Sequence, residues 1–293
     1  MTAAALEFRG VLKRFPRFTL GPLDLTAPPG CIYGLIGPNG AGKSTSIDLV
    51  MGMGALDGGT ISVFGLDHER DEVAVKRRIG YVSPELDYSP WRTVGRLIRF
   101  LRPHYPAWDD AYCLSLLKRM RLDTEERINT LSFGGKTKLA VVMALAHRPD
   151  MLLLDEPLTG LDAVSKSDLF PELLEAVQDE RRTVIISTHS LSDIERFTDH
   201  LGILNRGWMV LEGQTAALIE RFRMIHGECA DSPPLRREDG LYLLRHEGNR
   251  FKILADTLKD PVARLQAAGF TGLTDAPVTL EELFVALVKE TAS

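Results

Sequence analysis

The chain has 293 residues, 44% of them hydrophobic and 26% charged, and its formal net charge is −5. This length suits one large domain, or one domain with a smaller addition. The mildly acidic balance argues against a polyanionic partner, so we expect no nucleic-acid binding. Three widely spaced cysteines, Cys31, Cys113 and Cys229, argue against a disulfide framework or a zinc site and fit a reducing cytosol.

The sequence shows no pattern for export or membrane insertion. Residues 1–8 lack a basic start followed by an apolar stretch, so no signal peptide is expected. The longest apolar run, residues 139–146, is much shorter than the ~20 residues that a membrane span needs. We therefore expect a soluble chain that reaches a membrane only through a partner.

Strand and helix patterns alternate through the first 82 residues. The predicted strands are Glu7–Phe15, Phe18–Leu25, Cys31–Ile36, Thr60–Phe64 and Ile79–Val82, and the predicted helices are Lys43–Met53 and Val73–Arg78. Strands that alternate with helices predict an α/β fold with a parallel sheet.

The pattern becomes purely helical after Pro84. Val94–Leu101 and Asp109–Met120 have helical periodicity, so we predict an inserted helical subdomain at about residues 85–147. Strand patterns return afterwards. They cover Met151–Leu154, Thr183–Ser187 and a closing hairpin of Leu201–Asn205 with Gly207–Glu212.

Residues 214–293 predict a small α+β accessory domain attached to a main domain of residues 1–213. Its predicted elements are a helix at Thr215–Arg223, a hairpin at Gly240–Ala255 that turns at Gly248–Asn249, a helix at Pro261–Ala268 capped by Asp260, and a final helix. Thr279 and Glu282 have the spacing of a capping box for that final helix.

A glycine-rich stretch, Gly37–Thr45, follows the third predicted strand and matches the phosphate-binding pattern G-x-x-x-x-G-K-[S/T]. Glycines let backbone N–H groups approach phosphate oxygens, and the next helix presents its positive end to them. We expect Lys43 to reach the β- and γ-phosphates of ATP and Ser44 to bind Mg²⁺. The residues predicted to bind ATP here are Gly37, Pro38, Asn39, Gly40, Ala41, Gly42, Lys43, Ser44 and Thr45.

A second element completes the predicted metal site. The apolar strand at Met151–Leu154 ends in two acids, Asp155 and Glu156. Carboxylates at the end of a buried parallel strand face the phosphate loop across the sheet edge. Asp155 is therefore a predicted Mg²⁺ ligand, and Glu156 is predicted to polarise the attacking water.

The segment Leu131–Lys136, with the sequence LSFGGK, resembles the signature sequence of ATP-binding cassette (ABC) transporter ATPases. Phe133 and Gly135 depart from the usual L-S-G-G-Q, whereas the serine and the central glycine are kept. The resemblance implies an ABC-type P-loop NTPase core in which this loop binds ATP held by an opposite subunit. The residues expected to act in this way are Ser132, Phe133, Gly134 and Gly135.

Further motifs of the family occur in the same order along the chain. Thr159–Asp162 resembles the D-loop, with Asp162 as its acid, and Ile185–His189 resembles the switch strand. The resemblance implies that His189 contacts the γ-phosphate and that Phe15 stacks on adenine. Glu156, His189 and Lys43 are thus the predicted catalytic residues.

One position departs from the family. Where the family has a glutamine after the Ile79–Val82 strand, this chain has Pro84, followed by Glu85. Proline has no side-chain group that could replace the amide. We expect Glu85 to take over part of that role as a metal ligand.

The resemblance also implies partners and a mechanism. ATP would be sandwiched between two ATPase subunits, as a homodimer or with a sister subunit. The dimer would power a separate membrane permease from the cytoplasmic face of the membrane. The permease would insert a short helix into a groove lined by Pro84–Trp108, whose aromatic residues either contact it or pack in the core. These aromatic residues are Tyr88, Trp91, Tyr105 and Trp108.

The Val82–Glu85 stretch and the accessory domain are similar to those of ATPases paired with bacterial ABC-2-type exporters, so export is the expected direction. Two other classes compete with this interpretation. A soluble ABC ATPase acting on ribosomes or DNA would carry two ATPase halves or long coiled coils. A subunit that binds ATP without hydrolysing it would not need Glu156 and His189.

Overall fold

The computed structural model describes residues 3–162, 164–169, 171, 175, 182–191, 194–195, 197–229, 235 and 239–289. The strands are β1 (Leu6–Phe15), β2 (Phe18–Ala27), β3 (Ile32–Ile36), β4 (Gly58–Val63), β5 (Leu66–Asp67), β6 (Ile79–Val82), β7 (Met151–Asp155), β8 (Thr183–Thr188), β9 (His200–Asn205), β10 (Trp208–Gln214), β11 (Phe222–Glu228), β12 (Leu241–Glu247), β13 (Arg250–Asp256) and β14 (Thr271–Pro277). The helices with defined bounds are α1 (Lys43–Val50), α2 (Glu72–Arg77), α3 (Val94–Leu101), α4 (Asp110–Arg119), α5 (Phe133–Leu145), α6 (Thr215–Arg221), α7 (Pro261–Ala267) and α8 (Leu280–Lys289).

The central sheet has the strand order β10-β9-β3-β8-β7-β6. Its pairs are parallel except for β10, which returns antiparallel along β9. Every residue of β3, β7 and β8 is buried, which explains why these strands appear in the sequence as continuous apolar runs. Because the three strands are parallel, their carboxyl ends meet at one edge of the sheet.

A second, antiparallel sheet has the order β2-β1-β4-β5 and packs on one side of the central sheet. Leu23 of β2, Ile61 of β4 and Tyr33 of β3 are fully buried in one shared cluster with Ile47 of α1. This cluster fixes α1, and hence the turn that precedes it, between the two sheets.

The segment from residue 84 to residue 146 is described throughout and contains no strand, as the sequence predicts. Its helices α3, α4 and α5 share apolar residues such as Leu97, Leu116 and Leu139 with the core beneath the central sheet. The helical insertion is therefore packed against the sheet through its own apolar faces.

The last strands form a third sheet, with the order β12-β13-β11-β14. One face, including Met224 and Leu254, belongs to the same apolar cluster as β9 of the central sheet, and α8 joins that cluster through Leu283 and Leu287. The other face packs on α7 in a small separate cluster. Asn205, at the end of β9, also donates from Nδ2 to the Val288 carbonyl at 3.2 Å.

Three predicted details differ from the structure. α1 ends at Val50 rather than at Met53, because the chain turns through Gly52 with a φ of 68°. The predicted helix Thr215–Arg223 ends at Arg221, since Phe222 already pairs with β13. Asp260 precedes α7 but makes no side-chain cap, and its own backbone is left-handed with a φ of 50°.

Other predicted details are present. Glu282 accepts from the Thr279 amide and the Thr279 hydroxyl accepts from the Glu282 amide, which is the expected capping box. β12 and β13 form the expected hairpin at Gly248. Cys31, Cys113 and Cys229 are free and buried. Within the described part of the chain, no helix is both long and apolar enough to cross a bilayer.

Candidate functional site

The turn after β3 is too tightly packed for side chains at two of its glycines. A Cβ atom on Gly37 would lie 2.4 Å from the Leu204 carbonyl oxygen, and one on Gly42 would lie 2.7 Å from a leucine side chain. Gly40 and Gly42 have φ angles of 77° and 108°, which glycine adopts without a steric penalty. α1 starts at Lys43, so the helix end whose N–H groups lack helical partners adjoins this loop.

The side chain of Lys43 is only 5% exposed, and its ammonium group is held by three oxygens. Nζ lies 2.8 Å from the Gly37 carbonyl oxygen, 3.3 Å from the Pro38 carbonyl oxygen and 3.2 Å from Oε1 of Glu156. The loop therefore carries a fixed positive charge at its mouth, which suits a phosphate oxygen.

β7 and β8 bring the two predicted acids beside a serine. The Ser187 hydroxyl donates to Oδ1 of Asp155 at 2.5 Å and accepts from the Glu156 amide at 3.0 Å. Asp155 and Ser187 are register partners in the parallel ladder. Glu156 then leaves the strand with a left-handed φ of 45°, held there by its bond to Ser187.

The Glu156 carboxylate receives several donors. The Thr159 hydroxyl donates to Oε2 at 2.7 Å, and Nδ1 of His189 lies 2.8 Å from the same oxygen. Burial alone would raise the pKa of Glu156, but the Thr159 hydrogen bond, Lys43 and His189 outweigh it and lower the pKa below its usual value. Glu156 is thus held as a carboxylate, the form that can orient or accept a proton from water.

These groups surround a cavity of about 650 Å³ at the carboxyl edge of the central sheet. The residues that line it are Arg17, Phe18, Asn39, Gly40, Gly42, Lys43, Ser44, Thr45, Pro84, Glu156, Thr159 and His189. The volume is in the range of small-molecule sites. The predicted phosphate loop, the predicted base and the predicted switch histidine are therefore brought together.

Phe15 lies close to this cavity but does not line it. Its side chain is 44% exposed at the end of β1 and its ring stacks on Phe18 at 6.2 Å between centroids. Phe18 and Arg17 reach the cavity itself. The role of Phe15 in stacking on adenine stays a prediction.

A smaller cavity of about 260 Å³ lies beside the first. Pro84 lines both cavities, whereas Glu85 lines only the smaller one, together with Asp155 and Glu156. Glu85 is exposed, and its amide donates to the Ser83 hydroxyl at 3.2 Å. Its carboxylate therefore stands beside the predicted metal ligands rather than among the residues that surround the phosphate loop.

Comparison with known proteins identifies the family. The chain is 33% identical over 299 residues to a Nod factor export ATP-binding protein I of Burkholderia lata, and the match covers 98% of both chains. The chain belongs to the ABC transporter ATP-binding proteins. It is also 30% identical to the ABC transporter ATP-binding protein YtrB of Bacillus subtilis, with 91% of this chain and 92% of the relative covered. The ABC transporter family model matches residues 20–159.

Solved structures agree with this assignment. A structure of the ATP-binding subunit of an ABC transporter superposes with a TM-score of 0.67 at 26% identity, covering 74% of this chain and 92% of the other. The predicted family, the ABC-type α/β fold and the activity of an ATP-hydrolysing transport subunit are confirmed. ABC ATP-binding subunits form dimers and work with membrane permeases, which confirms the expected partners at that level.

The predicted signature loop of this ABC subunit forms the start of α5. The Ser132 hydroxyl caps the helix by accepting from the Gly135 amide at 3.1 Å. Phe133 is 52% exposed, and a Cβ atom on Gly134 would lie 2.6 Å from the Ser165 hydroxyl. None of the residues Ser132–Gly135 lines the larger cavity of its own chain.

The predicted D-loop lies directly beside the predicted signature loop. A Cβ atom on Gly160 would lie 3.2 Å from the Phe133 ring. Both carboxylate oxygens of Asp162 accept from Ser165, from its amide at 2.8 Å and from its hydroxyl at 2.9 Å. These bonds lower the pKa of Asp162. The D-loop acid thus anchors the helical residues 164–169 that close over Gly134.

Sequence reasoning missed four residues that shape the site of the ABC subunit. Thr159 and Ser187 hold the two predicted acids, and Asp48 with Tyr81 lies behind them. The Tyr81 hydroxyl donates to Asp48 at 3.2 Å. Ser187 could have been found, since it is a polar residue in an otherwise apolar run before Thr188-His189. Nothing in the sequence distinguishes Asp48 from an ordinary exposed helix residue.

Proposed function

We propose that the chain is the ATPase of an exporter, in which two copies enclose Mg-ATP head to tail and drive a separate permease from the cytoplasmic side. The observation that supports this most directly is the division of the site. The larger cavity has the phosphate loop, Glu156 and His189, whereas Ser132 and Gly134 lie outside it. A second subunit would bring those donors to the γ-phosphate.

Mg²⁺ fits the residues present. The pKa of Asp48 is raised, first by burial and then by the charges of Asp155 and Glu85, with Tyr81 acting in the opposite direction. Asp48, Asp155 and Glu85 thus place negative charge on one side of the site, and a divalent cation would relieve it. Ser44 and Asp155 would hold the ion, which supplies charge neutralisation to the phosphates when bound. Glu85 is the third candidate ligand, through water.

The chemistry of hydrolysis would then fall to this chain's own groups. Lys43 would bind the phosphate oxygens. The Glu156 carboxylate would orient the attacking water, and His189 would contact the γ-phosphate while keeping Glu156 in place. Phosphoryl transfer depends mostly on such positioning and charge stabilisation.

Export is proposed from the full-length relatives, which are named for export of Nod factors. The substrate would be chosen by the permease. A homodimer is the simplest assembly, since one chain has every motif. The accessory domain, residues 214–293, is proposed to support dimerisation or regulation.

The experiment measures ATP-dependent dimerisation of the Glu156→Gln variant and of wild type by size-exclusion chromatography. ATP is added together with either Mg²⁺ or Na⁺. The variant keeps the shape of the carboxylate but cannot act as a base, so we expect ATPase activity to fall at least ~100-fold. With hydrolysis blocked, the ATP-bound dimer should accumulate, whereas wild type should dimerise only transiently.

A second substitution tests the head-to-tail arrangement. Ser132→Arg in the Glu156→Gln background should abolish the dimer while leaving ATP binding to the monomer intact. Ser115→Arg, on the exposed side of α4, is the matched control and should dimerise normally. A dimer that survives Ser132→Arg would contradict the arrangement, and absence of any dimer would direct the search to a sister subunit.

A further inference from the structure

One segment of the helical insertion differs in charge from the rest of the chain. The chain has 40 acidic and 35 basic residues, yet residues 88–108 contain no aspartate or glutamate. The same segment contains Arg92, Arg96, Arg99, Arg102 and His104. It also carries five aromatic residues, so cationic and aromatic side chains are interleaved along it.

α3 separates these residues by side. Val94 and Leu97 are buried in the core, and Ile98 and Leu101 pack against it. Arg96, Arg99 and Phe100 recur at spacings of three and four residues on the opposite side, and all three are exposed. The apolar side therefore accounts for the fold, and the basic side is free to serve another purpose.

Two of the arginines on this side have no acidic partner in the part of the chain that the structure describes. Arg102 pairs with Asp110 at 2.7 Å. Neither Arg96 nor Arg99 has an acidic partner among the described residues, and Arg99 donates from Nε only to the Gly95 carbonyl at 3.3 Å. The acidic loop at residues 123–126 contacts α3 through backbone groups, which accept from the amides of Val94 and Gly95. The Glu126 carboxylate of this loop accepts from the Asp123 amide at 3.4 Å.

An exposed aromatic side chain stands among these cations. Phe100 is 47% exposed. Its ring lies 5.0 Å from Trp91 and 5.3 Å from His104, centroid to centroid. These neighbours support the ring from the sides while leaving its outer surface open.

We propose that this surface, which we name the α3 face (Arg96, Arg99 and Phe100, flanked by Arg92 and His104), binds anionic phospholipid headgroups at the membrane surface. Arginines attract anionic headgroups, and aromatic rings settle at the headgroup level. The outer side of an exposed helix is a ridge with charged side chains, which suits a planar anionic surface. The proposal rests on the proposed function only because a permease would bring the α3 face close to the bilayer.

The test is flotation of the purified full-length chain with vesicles of phosphatidylcholine alone or mixed with phosphatidylglycerol. We expect binding only to the mixed vesicles, and weaker binding at high salt because the charges are exposed. Each arginine near an anionic surface contributes about fivefold to partitioning. Arg96→Gln/Arg99→Gln should therefore bind roughly 25-fold more weakly.

The matched control removes two arginines elsewhere. Arg245→Gln/Arg250→Gln, on the exposed hairpin of the third sheet, makes the same charge change and should bind like wild type. Equal binding of wild type to both kinds of vesicle, or unchanged binding of the α3 variant, would overturn the proposal. So would loss of permease co-purification in the α3 variant without any vesicle binding by wild type, since an acidic protein segment would then be the partner.

The vesicle experiment needs neither ATP nor hydrolysis. A failed Glu156→Gln experiment would therefore count against the proposed function alone, and failed flotation would count against the lipid site alone.

Discussion

At the scale of single residues, the unusual position is Glu85. At the predicted position of the family's glutamine this chain has Pro84, and Glu85 lines the smaller cavity with Asp155 and Glu156. A third carboxylate near the phosphates is unfavourable without a cation and favourable with one. If Glu85 binds Mg²⁺ as proposed, the ion would connect the nucleotide site with the side that faces the helical insertion.

We predict that Glu85→Ala raises the Mg²⁺ concentration needed for half-maximal ATPase activity by about three- to tenfold, since it removes one carboxylate oxygen pair from a partly solvated ion. The measurement is a Mg²⁺ titration of ATPase activity at saturating ATP. Glu85→Gln is the informative comparison, because it restores the amide without the charge. Normal Mg²⁺ dependence and rate in Glu85→Ala would remove this residue from the metal site.

The sequence predicted the groups whose chemistry depends on residue type and order. Lys43, Glu156 and His189 meet at the larger cavity, and Asp155 lines the smaller cavity beside it, because each of these residues ends or follows a buried parallel strand. Of the residues that support them, Ser187 could have been predicted as a polar residue in an apolar run, whereas Thr159 could not. Thr159 reaches Glu156 only because the chain after β7 turns back on itself, and a hydroxyl three residues downstream predicts nothing without that turn.

At the scale of elements, the accessory sheet is joined to the preceding helix by an ion pair. Arg221, the last residue of α6, makes two hydrogen bonds to Asp256 at the end of β13, at 3.0 Å and 2.6 Å. Burial alone would raise the pKa of Asp256, but the bonds from Arg221 and from the Leu258 amide lower it below its usual value. A lowered carboxyl pKa means that the folded state favours the ionised form.

Because the pKa of Asp256 is lower in the folded state, the stability of the fold depends on pH. The contribution of Asp256 is complete above its unfolded-state pKa of about 3.9 and is lost as the pH falls through the lower folded-state value. Asp256→Asn should reduce the free energy of unfolding at pH 7 by about 1–3 kcal/mol. This loss is smaller than for a fully buried ion pair, because the Arg221 side chain is about one-third exposed to solvent. The variant should also lose less stability than wild type on acidification.

Urea unfolding from neutral to acidic pH, followed by circular dichroism, measures both effects. Arg245→Gln removes the arginine of an exposed pair with Glu247 and serves as the control, with almost no change expected. Parallel pH profiles for Asp256→Asn and wild type would show that the ion pair does not contribute.

Two elements were mispredicted from sequence patterns, for different physical reasons. Five of the seven residues of β14 are exposed, so its strand pattern lacks the apolar alternation that marks a half-buried strand. α6 looked longer because Phe222 and Arg223 continue its helical pattern. Pairing with β13 decided their conformation, and such pairing depends on residues about thirty positions away.

At the scale of the whole molecule, the division at residue 213 is still a prediction, and the packing bears on it. Leu283 and Leu287 of α8 share one apolar cluster with Leu201 and Ile203 of the central sheet. A continuous cluster predicts that the main and accessory parts unfold together, since neither can separate without exposing apolar surface.

The substitution Leu283→Ala tests whether the main and accessory parts unfold together. The side chain is fully buried, so the substitution should cost about 2–5 kcal/mol of unfolding free energy. We expect one calorimetric transition in both proteins, shifted to lower temperature in the variant. Glu281→Ala, exposed on the same helix, is the control and should shift the transition little. Two transitions, with only one of them moved by Leu283→Ala, would establish independent folding units.

The left-handed backbone at Glu156 has a consequence for how this protein can be improved. A residue with a side chain at a φ of 45° costs the fold about 1–3 kcal/mol, and glycine would not incur that cost. A selection for thermal stability alone would therefore favour glycine at the one position where the proposed water-orienting carboxylate must stand. Screens that select for thermal stability without measuring turnover should therefore enrich variants that are more stable and bind ATP but no longer hydrolyse it.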